Sequence, residues 1–250
     1  MSIIKVGTCG WGYLPRELIE RLNLTEVKGT KLAKYAKIFE VVEINSTFYK
    51  LPREKTAEKW YKEAKNIRKD FEFTLKVNKV ITHQDRFKSE VSWEVFKQVE
   101  KIAKILNVKI LLFQTSASFK PTKENLENIK NFFSNINNFE IAWEFRGKEW
   151  LKAKEKVKKI IEDLNIIHVT DPFNFLPFTF REIVYFRLHG SPPGEKMYYY
   201  KYSDKDLIWL METIEKISKS NENIQQIYTM FNNVWMYEDA LRFKELIRKC

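Results

Sequence analysis

The chain has 250 residues, 44% of them hydrophobic, and its 44 Lys and Arg against 33 Asp and Glu give a net charge of +11. That apolar content fills a sizeable core, and no run approaches the roughly 18 apolar residues of a membrane span. Two distant cysteines, Cys9 and Cys250, make no disulfide framework, and the first residues read as strand rather than signal peptide, so a soluble cytoplasmic protein is expected.

Strand-like runs alternate with helical patterns along the chain. Ile3–Cys9 is the first run, and the Tyr13–Thr30 connection after it is irregular until Lys31–Ile38 reads as helix. Phe39–Tyr49 follows, then a helix over Ala57–Lys69. Glu72–His83 is the third run, and Ser92 is the expected N-cap of a helix reaching Leu106. Val108–Thr115 precedes a helix over Thr122–Ile136. Phe139–Arg146 precedes one over Lys148–Leu164, where Trp150, Leu151, Val157, Ile160, Ile161 and Leu164 recur at helical spacing. Ile166–Asp171 leads into Pro172–Pro177, which cannot hold a long helix. Ile183–Gly190 and Gln226–Asn233 are followed by helices over Asp204–Lys219 and Tyr237–Lys249. With no linker or composition break, eight such runs predict an α/β fold, a single (β/α)8 TIM-type barrel over residues 1–250. Its chemistry would lie at the C-terminal strand ends.

Alternate side chains of a barrel strand face the helices and the interior. Taking the bulky apolar set as helix-facing leaves Glu43, Asn45 and Thr47 inward on the second strand and Thr74, Lys76 and Asn78 on the third. It leaves Ala142, Glu144 and Arg146 inward on the fifth, His168 and Thr170 on the sixth, and Tyr185, Arg187 and His189 on the seventh. The faces of the fourth and eighth strands are open, with Gln114, Asn232 and Asn233 near their ends. Charges from several strands thus converge on one mouth, as a barrel active site requires, although a structural network of ion pairs would converge there too.

The segments Gly7–Trp11, Val42–Tyr49, Leu75–Lys79 with Ile81–His83, Leu112–Gln114, Trp143–Arg146, Tyr185–Gly190 and Phe231–Asn233 resemble, in order, the YecE-like family, the domain of unknown function 72. The resemblance implies a (β/α)8 barrel and supplies no function. The family usually has serine where Cys9 stands, which argues against Cys9 as an indispensable nucleophile. The segment after Gly12-Tyr-Leu-Pro-Arg16 is shorter than the family's, so the cover over the site is expected to differ.

The sequence is read as an enzyme using acid–base chemistry on a small anionic substrate, phosphorylated or sugar-derived. Glu144 or Glu43 would move the proton with His189 as partner, and Asp171 would orient a histidine. Lys76, Arg146 and Arg187 would clamp the anion, helped by backbone N–H groups of the Gly190–Met197 loop. Asn45, Asn78, Gln114 and Asn232 would orient polar groups, and Trp11 would cover one side. Arg187→Ala is expected to abolish ligand binding with the fold intact. Two other readings stay open. One is a metal-dependent hydrolase or isomerase holding zinc or manganese with His83, His168 and His189 beside Glu43, Glu144 or Asp171. The other is a nucleic-acid binder using the positive charge and exposed aromatics such as Trp11, Tyr13 and Tyr198–Tyr200. Lysines such as Lys154, Lys156, Lys158 and Lys159, interspersed with glutamates, also read as a plain solvated helix face. No motif specifies a cofactor or an oligomeric state.

Overall fold

A computed structural model describes residues 2–191 and 196–248. Its strands are β1 (Ile3–Thr8), β2 (Val41–Ile44), β3 (Glu72–Lys76), β4 (Ile110–Gln114), β5 (Glu140–Glu144), β6 (Ile167–His168), β7 (Ile183–Leu188) and β8 (Gln226–Phe231). They pair in parallel in the order β6-β5-β4-β3-β2-β1-β8-β7, and the Thr170–Phe186 bridge brings the two edges together. The helices are α1 (Arg16–Arg21), α2 (Lys31–Ile38), α3 (Glu54–Ile67), α4 (Glu90–Ile105), α5 (Lys123–Phe133), α6 (Lys148–Lys152), α7 (Lys154–Asp163), α8 (Asp204–Ser220) and α9 (Met236–Ile247). This is the (β/α)8 barrel that the alternation of strand and helix predicts.

Two apolar layers follow from the strand alternation. Val41, Ile110, Leu112, Ala142, Ile167, Tyr185 and Met230 fill the barrel interior. Val42, Ile44, Leu75, Phe113, Trp143, Phe186 and Ile227 face the helices in the larger outer layer. Gly7 lies where β1 and β2 approach closely, since a Cβ there would sit 2.3 Å from the Val41 carbonyl oxygen.

Several boundaries differ from the sequence reading, each for a local reason. β2 stops at Ile44 rather than Tyr49, because the Thr47 hydroxyl caps the Ile44 and Lys76 carbonyls and residues Ser46–Phe48 turn into a 3-10 helix. β3 stops at Lys76, and Val80–Gln84 is a π turn entered where Asn78 Oδ1 accepts the Val80 N–H. Ser89, not Ser92, caps α4, and Ser92 lies in the first turn with its hydroxyl on Asp85. The helix expected over Lys148–Leu164 breaks at Ala153, whose N–H bonds Glu149 and Trp150 carbonyls as a C-cap. The irregular first connection holds the short α1. No helix forms between β6 and β7, as the prolines there demand.

Strand six reverses the expected faces. Ile167 and Val169 fill the interior, whereas His168 stacks on Phe145 outside it, with Phe175 and Phe178 beside it. The rule that apolar residues face the helices fails there, because the middle of this barrel is itself apolar.

Candidate active site at the C-terminal strand ends

β7 aims Tyr185, Arg187 and His189 into the barrel at alternate positions. Arg187 is 1% exposed and takes both oxygens of Glu43, Nε to Oε2 at 3.0 Å and Nη2 to Oε1 at 2.8 Å. Its Nη1 donates to Glu144 Oε2. The Tyr185 hydroxyl donates to Glu43 Oε2 at 2.9 Å. One guanidinium therefore bridges two buried carboxylates, from β2 and β5. Such groups persist in an interior only when paired and hydrogen-bonded. Arg187 is fully committed, so it is a connector rather than an open anion clamp. Its removal takes from Glu43 its guanidinium partner and from Glu144 one of two, so Arg187→Ala is expected to disturb the fold rather than leave it intact.

The free oxygen of Glu144 organises the rim. Oε1 accepts from Arg146 Nε at 3.0 Å, Arg146 Nη2 at 2.9 Å and His189 Nε2 at 3.0 Å. His189 Nε2 lies 3.0 Å from Glu144 Oε1 and 3.2 Å from Arg146 Nη2, and the Asn232 amide, donating to Nδ1 at 3.0 Å, assigns the ring proton to Nε2, facing Glu144. Burial pushes His189 down to about 4 against the pull of Glu144, so the ring is neutral at pH 7. Burial works against the ionised Glu144, but Arg187, Arg146 and the His189 hydrogen bond hold it well below the usual carboxylate range. Asp171 accepts the His189 backbone N–H at 2.9 Å and the Phe173 N–H at 3.1 Å, thereby fixing a histidine through its backbone. Burial raises Asp171 to about 6. Glu144, Arg146, Asp171 and His189 line a pocket of about 350 Å³ on the β5–β7 side of the mouth.

Lys76 ends β3 and is buried, its Nζ 4.1 Å from the centre of the Phe48 ring. Burial, reinforced by Arg187, lowers it to about 8. Across the mouth a second pocket, about 400 Å³, is lined by Cys9, Trp11, Asn45 and Tyr49. Asn45 Oδ1 is buried there without a partner among the described residues, and Trp11 packs edge-on to Trp60 at 5.0 Å. Gln114 is half-buried, with Nε2 3.4 Å from the Thr115 carbonyl. Asn78 is committed to the backbone of Thr47 and Val80, so it braces a turn and does not face the mouth.

The three histidines stand in three environments: His83 beside Phe48 on the turn after β3, His168 outside the barrel, and His189 inside. They do not assemble, and among the described residues no three His, Cys, Asp or Glu side chains form a metal-holding group. In loop seven, the Gly190 N–H is taken by Tyr202 Oη. Residues 192–195 of that loop, and Lys249 and Cys250, lie outside the described residues. The sequence names Tyr198 only within an aromatic run for nucleic acid, whereas its ring edge lies over His189 at 5.7 Å, and it does not single out Phe48, the platform under Lys76. Tyr198 arrives by the return of a loop, which leaves no periodic signal.

The sequence profile described as protein of unknown function DUF72 matches residues 5–249. The UPF0759 protein YunF of Bacillus subtilis is 23% identical, with 92% of this chain and 89% of YunF covered. The crystal structure of a DUF72 family protein from Thermotoga maritima is 25% identical and superposes with a TM-score of 0.72, covering 98% of this chain and 99% of that one. A D-psicose 3-epimerase solved in the presence of D-fructose shares the fold at a TM-score of 0.52 and 13% identity, covering 87% and 91%.

Proposed function

Because the chain belongs to the DUF72 family of proteins of unknown function, we propose its activity from its own mouth: an enzyme that binds a small anionic substrate and moves a proton on it. The observation that carries this reading is the Arg187–Glu43–Glu144–His189 network, saturated from within, lying beneath a pocket that Arg146 and Asp171 also line. A network satisfied from inside does not reorganise when a ligand arrives, and preorganised charge is what transition states use. Arg146 is 28% exposed at its side chain, so it can offer a guanidinium edge to a phosphate or carboxylate while Glu144 holds it in place.

Roles shift from those the sequence suggested. Glu144 stays ionised, and its lone pairs face Arg187, Arg146 and His189, so it positions rather than abstracts. Asp171, raised toward neutrality by burial, is the better proton carrier. Neutral His189 orients Glu144 and Asn232 at the pocket wall. The epimerase neighbour acts on a sugar, which suits a hydroxylated anionic substrate here by fold analogy alone.

The test is a thermal-shift titration with inorganic phosphate and fructose 6-phosphate on the wild type and Arg146→Gln. Saturable stabilisation of the wild type, weakened about tenfold or more in the variant, is expected, since a lost charged hydrogen bond is worth about 1.5–3 kcal/mol. No saturable stabilisation of the wild type, or equal stabilisation of both, overturns the reading. A second reading rests on the rim, where Tyr13, Tyr49, Tyr199 and Trp235 are exposed and Lys201 lies 4.5 Å over Trp235. Stabilisation by short oligonucleotides that fades with salt and ignores Arg146 would favour that surface as a single-strand platform.

A further inference from the structure

The mouth holds one amine whose surroundings differ from those of the other lysines. Lys76 Nζ is carried inward at the end of β3, with its backbone carbonyl fixed by the Thr47 hydroxyl at 2.7 Å. Among the described residues its ammonium makes no hydrogen bond or ion pair, and it lies over the Phe48 ring face at 4.1 Å. Carboxylates are near, but already taken. Glu43 accepts from Tyr185 and twice from Arg187, and Glu144 accepts from Arg187, Arg146 and His189. By contrast, Lys5 of β1 and Lys244 of α9, both largely buried, are each paired with a glutamate.

We infer that Lys76 is a nucleophile that forms a Schiff base with a small carbonyl compound bound at the mouth. The inference rests on the small-molecule reading above and names the substrate class as an anionic aldehyde or ketone. The groups around Nζ suit the task. Phe48 supplies an apolar, polarisable face, and the buried Arg187 guanidinium on β7 disfavours a second positive charge close by. Burial and that charge leave a substantial fraction of the amine neutral near pH 8, while Glu43 and Glu144 pull the other way and Cys9 more weakly. A desolvated lysine beside a cation is a recurring way to make an amine nucleophilic at neutral pH. His83, whose ring is edge-on to Phe48 at 4.9 Å, is close enough to feel the Lys76 charge.

The step balances without a co-reactant. The neutral amine adds to the carbonyl carbon, forming the C–N bond as the π pair moves to oxygen. The nitrogen proton and the one released earlier from the ammonium go to that oxygen, which leaves as water. An ammonium and a carbonyl thus give an iminium and one water, with no net proton or electron change. The iminium then acidifies the adjacent C–H bond, which gives the proton carrier across the mouth a bond to act on.

The experiment is reductive trapping. The full chain is incubated at pH 7.5 with glyoxylate, and separately with formaldehyde, in the presence of cyanoborohydride, and labelled lysines are mapped by peptide mass. Lys76, lowered to about 8, is expected to label about tenfold or more faster than Lys216 on the surface of α8, because a substantial fraction of its amine is neutral at that pH. In Lys76→Met the fast label should vanish and the slow surface labelling should remain. If Lys76 labels no faster than Lys216 with either probe, the inference is overturned. Arg146→Gln separates the two readings. Fast labelling of Lys76 by both aldehydes, undiminished with glyoxylate in that variant, leaves the nucleophile standing and removes the anion clamp. Phosphate stabilisation without fast labelling does the reverse.

Discussion

At position 168 an imidazole sits among Phe145, Phe175 and Phe178, its Nδ1 accepting the Phe178 N–H at 3.0 Å while its buried Nε2 has no partner among the described residues. Burial holds it down at about 3, against an ordinary 6.5. The unfolded chain therefore binds a proton at this residue, between those values, that the folded chain refuses. The stabilisation is complete above 6.5 and is lost as pH falls toward 3, by at most about 1.4 kcal/mol per pH unit. His189 has the same sign over 6.5 to about 4. Asp171 has the opposite sign, because its raised value favours folding at low pH and that gain is lost as pH rises through about 6. Comparing the wild type with His168→Phe cancels both. Denaturant unfolding at pH 7, 6, 5 and 4 should show the wild type losing stability relative to the variant as pH falls. A difference independent of pH would mean that the imidazole protonates freely in the fold. The sequence made this histidine a ligand candidate on its position near a strand end, and the aromatic shell that neutralises it was invisible there.

Strand ends are where elements and site meet, and short polar side chains decide them. Thr47 ends β2 and fixes β3 with one hydroxyl, and Asn78 opens the turn after β3, so Lys76 is presented from a rigid base. The segment behind Tyr198 is anchored similarly. Ser203 and Asp206 form a reciprocal capping box at the start of α8, and Asp206 also accepts from Tyr200 Oη at 2.7 Å. Ser203→Ala removes one half of the box and should cost about 1 kcal/mol in chemical denaturation. It should leave phosphate binding unchanged if Tyr198 is held by its own packing. Helix caps of this kind can be anticipated from sequence, but Ser89 and Ser92 show the difficulty. Both are serines near the same helix start, both bond Asp85, and only their backbone geometry separates cap from first turn.

Across the whole molecule the barrel is unevenly sewn. β8 pairs with β1 and β7 over six residues each, whereas β6 has two residues and joins β7 through the Thr170 bridge, with Thr170 N–H 3.4 Å from the Tyr185 carbonyl. Hydrogen exchange by mass spectrometry should therefore show peptides over residues 166–171 exchanging before those over residues 226–231. Simultaneous exchange would mean that the barrel opens only as one unit. The net charge of +11 coexists with many ion pairs on exposed side chains, which contribute little each. The most deeply buried ion pairs are those of Arg187 at the mouth.

The eight-strand rhythm, the barrel and the inward direction of Glu43, Glu144, Arg187 and His189 follow from the sequence itself. They depend on a period of two along a strand and on connections that return each strand parallel to the last, both properties of local chain. Which inward charges pair, which lysine is left alone, and which histidine lies outside the barrel were decided only by the tertiary structure. Pairing is a competition in space among residues more than a hundred positions apart, such as Glu43 and Arg187, and no local period records its outcome. The interior of β6 shows the same limit, since an apolar residue suits either face of a strand buried on both sides.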